Sequence, residues 1–212
     1  MISILSQSSE TFTGVSTIFR FDNLLDSEIC DELYSLSLLK INSNPNFNVM
    51  PWHDNENNIF FNLKNYKIKE HIFLYRRKLA VILSEKYGIN LYPTFTDLVL
   101  WRTGRQMPRH LDNGSDNNED ANTLGMRVVS CVTYLNDNYD GGETFIGSES
   151  GNDYISKPIK GSAISFLSNE KNMHGVNKVT AGYRITLPIW FCSDIKYSED
   201  WNITKDLNFK YD

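Results

Sequence analysis

Apolar residues recur at two different periods along this chain, and the period changes near residue 93. In the first part the spacing is helical. Ile29, Leu33 and Leu36 return on one face after Asp26 and Ser27, either of which can cap a helix, with Glu28 in the first turn; this predicts a helix over 25–40. A second helix is predicted over 66–87, where Ile68, Ile72, Tyr75, Leu79, Ile82 and Leu83 form one stripe and Gly88 suits the position just past the end. Between them, 42–65 is rich in Asn and polar residues and reads as a loop anchored by Trp52, Phe60 and Phe61. Beyond residue 93, short β-rich runs alternate with turn signals: 94–101, 106–111, 126–135, 143–147, 154–159, 162–167, 174–179 and 184–192. Gly141-Gly142 and Lys160-Gly161 are turn punctuation. About eight short strands after two helices predict a mainly β chain with supporting N-terminal helices, folded as a sandwich or jelly roll. The helical stripes should then be buried against one sheet.

No internal repeat is visible, and 212 residues suffice for one sizeable core. The expected organisation is a single domain over 1–212: a helical support region (1–93), a β core (94–193) and a C-terminal extension (194–212). The extension carries Tyr197, Trp201, Phe209 and Tyr211, and is expected to cover the β core or mediate a dimer; the oligomeric state stays open.

Charge narrows the partners. A formal net charge of -5 without clustered Lys and Arg argues against a nucleic-acid surface. The longest basic run, Arg76-Arg77-Lys78, falls within the second helix and reads as a solvated face. Cys30, Cys131 and Cys192 are odd in number and form no CxxC pair, which fits a reducing compartment; Cys131 and Cys192 read as small core residues. Residues 1–13 lack a secretory pattern, and no apolar run reaches the roughly 18 to 20 residues of a membrane span. A cytoplasmic protein without a membrane partner is expected. The 23 Asn against 4 Ala suggest an AT-rich genome, so a virus or phage protein acting in host cytoplasm fits as well as a bacterial one.

Of four histidines, His110 stands out because it opens His110-Leu111-Asp112. In a strand, positions i and i+2 project from one face, so an imidazole and a carboxylate can grip one ion. His174, at the start of another predicted strand, supplies a third ligand. Two histidines and one carboxylate leave other positions of the metal open, which is the ligand set of non-haem iron(II) oxygenases. Arg184 lies in an otherwise apolar strand, Ile185-Thr186-Leu187-Pro188-Ile189-Trp190-Phe191. It is either a surface ion-pair partner or a planar fork for the far carboxylate of a dicarboxylate.

Further residues follow in an order that carries a resemblance: Gly104, Arg127, Tyr134-Leu135-Asn136, Gly141-Gly142-Glu143-Thr144, Pro158, Gly161, Ala163, Phe166, Val176, Gly182 and Trp190. With the metal trio, residues 98–193 resemble the catalytic core of the prolyl 4-hydroxylase branch of the 2-oxoglutarate/iron(II) dioxygenases. The resemblance implies a double-stranded β-helix, with His110, Asp112 and His174 as iron ligands and Arg184 binding the 5-carboxylate of 2-oxoglutarate. Tyr134 falls where hypoxia-sensing relatives place a tyrosine on that carboxylate, and Thr186 would add a hydroxyl. Arg127 and Trp190 match substrate-contacting positions, although Trp190 also suits a core. Trp101 stands where many members carry a tyrosine near the co-substrate; an indole N–H donates and cannot accept. Arg184 replaces the lysine of collagen-type and algal relatives, as in the hypoxia-sensor-like and bacterial group.

The implied cofactors are Fe(II), 2-oxoglutarate and O2, with ascorbate as a helper. The implied reaction is oxidative decarboxylation of 2-oxoglutarate to succinate coupled to C–H hydroxylation. Retention of Asp112 points to hydroxylation, since halogenating relatives lack the carboxylate. The leading reading is hydroxylation of prolyl residues in a peptide or protein. A second is hydroxylation of a free amino acid, a small molecule or another side chain. A third is a non-catalytic jelly-roll binding module, against which intact His110, Asp112, His174 and Arg184 stand. Residues 113–122, acidic and polar, leave directly from Asp112 and read as a hairpin tip overhanging the site, favouring a basic or neutral partner.

Overall fold

The computed structural model describes residues 17–43, 66–113, 125–147 and 152–199. The expected loop anchors Trp52, Phe60 and Phe61, most of the acidic segment, and Trp201, Phe209 and Tyr211 lie outside the described residues.

Helix α1 (Ser27–Ser43) starts where the Asp26 carboxylate accepts the Glu28 backbone N–H at 2.8 Å, which picks Asp26 from the two candidate caps. Helix α2 (Tyr66–Tyr87) has the bounds its stripe predicts. Ile68, Ile72, Tyr75, Leu79 and Leu83 are buried, and the helix ends at Gly88, whose φ of 68° suits a residue without Cβ.

Strands β1 (Ile18–Phe21), β9 (Ala163–Leu167), β5 (Val129–Tyr134), β12 (Tyr183–Cys192) and β2 (Tyr92–Thr96) lie side by side in that order, and β3 (Val99–Arg102) also pairs with β12. A second sheet runs β4 (Met107–His110), β10 (His174–Val176), β7 (Thr144–Ile146), β8 (Tyr154–Ser156). A small ladder joins β6 (Asp140–Gly141) to β11 (Val179–Ala181). Every pairing is antiparallel, as in a jelly roll.

The alternation of side chains in the large sheet decides where the core and the site lie. Ile185, Leu187, Ile189 and Phe191 of β12, with Val129 and Cys131 of β5, pack against the stripes of both helices in one continuous core. The intervening residues of β12 and β5 face the second sheet, where Tyr134, Ile146, Ile164 and Phe166 form a smaller core. No helix among the described residues is long and apolar enough to cross a membrane.

Two expectations need correcting. The described residues hold twelve strands rather than about eight: β1 and β6 are additional, and two predicted runs are each broken in two. The run 94–101 splits where the Asp97 carboxylate accepts the Leu98 N–H, and 174–179 splits between Val176 and Val179. The basic run on α2 is not a solvated face throughout. Arg76 is fully buried and pairs with Glu199, because the chain beyond β12 folds back beside that helix. All three cysteines are free and buried, and burial pushes their thiols up, to about 11 for Cys30 and Cys192 and about 12 for Cys131.

Candidate active site

His110 ends β4 and His174 begins β10, and the two are register partners across that ladder, with ring centroids 4.3 Å apart. Because β4 stops at His110, the following turn delivers Asp112 rather than the strand itself. The carboxylate still reaches both rings: Oδ1 lies 3.6 Å from His110 Nε2 and Oδ2 lies 3.4 Å from His174 Nε2. One potential ligand atom from each residue falls within 4.8 Å of the others. The backbone carbonyl of Pro108 lies 3.0 Å from His110 Nδ1. A carbonyl only accepts, so the proton sits on Nδ1 and the Nε2 lone pair faces the trio. Gly175 keeps β10 close to its neighbours: a Cβ there would stand 2.3 Å from the Phe145 ring and 2.6 Å from the Met107 carbonyl.

The protonation states suit a cation. Burial alone would raise the Asp112 carboxyl, but the charges of His174, His110 and Arg127 outweigh it and hold the group well below the usual carboxylate range. Burial pushes the His174 imidazole down to about 4, against the opposing pull of Asp112. A carboxylate and neutral imidazoles are the forms that ligate metals. Ser130 Oγ donates to Asp112 Oδ2 at 2.5 Å and lies 2.8 Å from Ser168 Oγ, so a chain of hydroxyls orients the carboxylate from behind. The donor set and its supports fit iron(II).

A cavity opens over the trio. Along β12, Arg184, Thr186, Pro188 and Trp190 all line it, and Arg184 and Trp190 stand roughly 20 Å apart at strand spacing. At one end the Arg184 guanidinium, 3% exposed, donates to Gly142 O (2.9 Å), Thr144 Oγ1 (3.1 Å) and Thr186 Oγ1 (3.2 Å). Its carbon lies 5.3 Å from the Trp101 ring centroid. Gly142 lets it through, since a Cβ there would press within 3.0 Å of the Arg184 stem. The surface ion-pair alternative for Arg184 is therefore wrong: the residue is buried inside the fold and ringed by hydroxyls. Trp101 is buried against the same cavity, and its indole N–H has no hydrogen-bond partner among the described residues.

Tyr134 sits one step back. It is fully buried, and its hydroxyl donates to Thr144 Oγ1 at 2.8 Å, placing Thr144 between it and the cavity. With oxygen lone pairs taken by Tyr134 and Arg184, the Thr144 hydroxyl is left to donate. The sequence reading assigned no role to Thr144, Ser130 or Ser168. Ser130 carried a usable signal, as a polar residue on the inward face of an apolar strand. At the far end Arg127 stacks over Trp190 (4.3 Å) and Phe95 (5.6 Å), so both expected substrate contacts line the cavity, Trp190 included, rather than the core behind the sheet.

Residues 96–192 match the model of the 2OG-Fe(II) oxygenase superfamily. The matched stretch takes in His110, Asp112, His174 and Arg184. The chain is 29% identical to mouse prolyl 3-hydroxylase 2 over 232 aligned positions, covering 93% of this chain and 33% of that protein. It is 30% identical to a PKHD-type hydroxylase of Psychrobacter over 113 positions, covering 52% of this chain and 42% of that one. The chain thus spans about a third of the length of the mouse relative. Among solved structures, the Trichoplax adhaerens prolyl hydroxylase in complex with a hypoxia inducible factor peptide fragment shares the fold. The TM-score is 0.63 at 18% identity, covering 92% of this chain and 88% of that one. Within the matched residues, all the expected metal residues and Arg184 fall on one cavity.

Proposed function

We propose that the chain is a 2-oxoglutarate- and iron(II)-dependent hydroxylase acting on prolyl residues of a peptide or protein. The observation that carries this reading is the single cavity joining a His–Asp–His trio to a buried arginine ringed by hydroxyls. His110, Asp112 and His174 would hold iron(II), which when bound supplies the dioxygen activation that couples decarboxylation of 2-oxoglutarate to C–H hydroxylation. Arg184 takes the distal carboxylate of 2-oxoglutarate by charge-assisted bonds, with the hydroxyls of Thr144 and Thr186 and the indole N–H of Trp101 as further donors. Tyr134 fixes Thr144 from behind. Ascorbate is expected to sustain turnover.

The tilted rings of Phe95 and Trp190 offer apolar surface for a proline ring, and Arg127 offers hydrogen bonds to a peptide carbonyl. The prolyl assignment draws on the names of the relatives, which include a prolyl 3-hydroxylase in sequence and a prolyl hydroxylase in shape. Regiochemistry does not follow from either. The test is to incubate the iron-loaded protein with 2-oxoglutarate and a panel of proline-containing peptides and free proline. Succinate is measured, and the oxygenated residue is located by mass spectrometry and resolved into 3- and 4-hydroxyproline. Hydroxylated peptide is the expected product. Oxygen inserted only into free proline or into another side chain overturns the prolyl-peptide reading and leaves the oxygenase reading standing.

A further inference from the structure

Beyond β12 the chain reverses and crosses the outer strand β2. Asp194 accepts the Lys196 N–H to start a 3-10 turn (Ile195–Tyr197), and the Tyr197 carbonyl accepts the Thr94 hydroxyl at 2.8 Å. The next two residues turn inward, with Ser198 1% and Glu199 3% exposed. Glu199 accepts the Thr96 hydroxyl at 3.2 Å and forms an ion pair with Arg76 of α2, which is wholly buried. A carboxylate from the chain's end, a guanidinium from a helix and a hydroxyl from a strand therefore meet in the interior.

A buried ion pair is a poor choice for stability alone, because an apolar pair of similar volume often does as well or better. What surrounds this one suggests a different use. Thr96 is flanked by Phe95 and Asp97, and both line the cavity, as does Trp190, the register partner of Phe95. Arg127, stacked on Trp190 and Phe95, is 7% exposed; burial pushes its guanidinium below the ordinary range, against the opposing pull of Asp112, Asp97 and Glu199. The same carboxylate thus fastens the back of β2 and helps balance the cation on its front.

We propose that Glu199 is a positioning residue for the prime-substrate end of the cavity, setting Phe95 and Asp97, and with Phe95 the Arg127–Trp190 stack, through its bond to Thr96. This rests on the hydroxylase reading for its kinetic consequence but not for its structural one. Thr96 and Arg76 tie Glu199 to β2 and α2, so the C-terminal segment tunes the fit of prime substrate rather than co-substrate binding.

Two variants test it. Glu199→Gln leaves Arg76 charged and uncompensated, and is expected to lower Tm by roughly 10 °C. The paired variant Arg76→Met/Glu199→Leu removes both charges, and is expected to recover most of that loss. In the paired variant, 2-oxoglutarate-dependent succinate release without prime substrate should stay within about twofold of wild type. The peptide KM should rise at least about tenfold with kcat less affected. A paired variant that regains both Tm and the wild-type peptide KM overturns the proposal, since the pair would then be structural only. A second arm needs no substrate. In the zinc(II)-loaded protein with 2-oxoglutarate, the Trp190 indole N–H resonance and the exchange rates of the β2 amides are compared between wild type and the paired variant. A moved Trp190 resonance and faster β2 exchange support positioning, and an unchanged pair of readouts overturns it. If wild type turns over no peptide, the hydroxylase reading fails on its own test while this arm still decides the proposal.

Discussion

Replacing Arg184 by alanine removes the one cation that the described residues place at the co-substrate end of the cavity, and its expected effect can be worked from its bonds. The guanidinium is 3% exposed and donates to the Gly142 carbonyl and to the Thr144 and Thr186 hydroxyls, leaving its outer edge toward the cavity for a carboxylate. Losing a buried, charge-assisted partner costs on the order of 2 to 5 kcal/mol. At about 1.4 kcal/mol per tenfold, that is a loss of at least ~30-fold in 2-oxoglutarate affinity. The variant also leaves the Gly142 carbonyl without its donor, so some stability is lost and Tm must be recorded alongside. Arg184→Lys restores the charge but not the fork, and should recover part of the affinity while breaking the simultaneous contact with both threonines. The assay titrates 2-oxoglutarate against succinate release, with iron(II) affinity measured separately. An alanine variant that is folded, binds iron and shows a wild-type 2-oxoglutarate titration would refute the assignment and move the anchor to Trp101 or Thr144.

His174→Ala should abolish succinate release and weaken iron binding, because one of three protein ligands is gone; a variant with undiminished iron-dependent turnover contradicts the metal assignment. Ser130→Ala removes the 2.5 Å hydrogen bond that orients Asp112, and a loss of about 10- to 100-fold in metal affinity or activity is expected, read by competition with a chelator. The metal-free protein should lose stability as pH falls from 6.5 to about 4. In that window the unfolded chain protonates His174 while the folded protein keeps it neutral, so stability is full above 6.5 and declines by up to roughly 3 kcal/mol. A pH-independent Tm between 7 and about 4 in the metal-free protein would contradict the buried, neutral imidazole.

What the sequence revealed of this molecule depended on how far each signal extended along the chain. Helix α2 was legible to its last residue because five core positions repeat over six turns, and its terminal glycine is required by geometry. Strand β12 was legible because β-branched and aromatic residues dominate 185–191, despite Pro188 within it. By contrast β1 has four residues and β6 two, too short for any period to emerge; pairing with β9 and β11 creates them. The metal trio and Arg184 were visible as rare residue types in apolar surroundings. Thr144 and Ser168 were not, since a lone hydroxyl in or beside a strand is commonplace and only the fold shows which oxygen it faces. Arg76 shows the same limit from the other side. A basic triplet on a helix gives no sign of which member turns inward, and its partner, Glu199, is more than a hundred positions away.

Strand β12 serves two masters with one backbone: its even-numbered residues from Arg184 to Trp190 build the reaction chamber, and its odd-numbered residues from Ile185 to Phe191 build the core under the helices. Insertion or deletion of a single residue inside the strand would exchange the two sets on one side of the change, turning chamber residues into the core and core residues such as Ile185 or Ile189 into the chamber. Such a lineage would lose chemistry and folding together, with no partial state to select from. Point substitutions, however, act on one face at a time. A new substrate preference can therefore arise through changes at Pro188 or Trp190 while the hydrophobic face keeps the scaffold intact, which makes this strand open to altered specificity but closed to altered length.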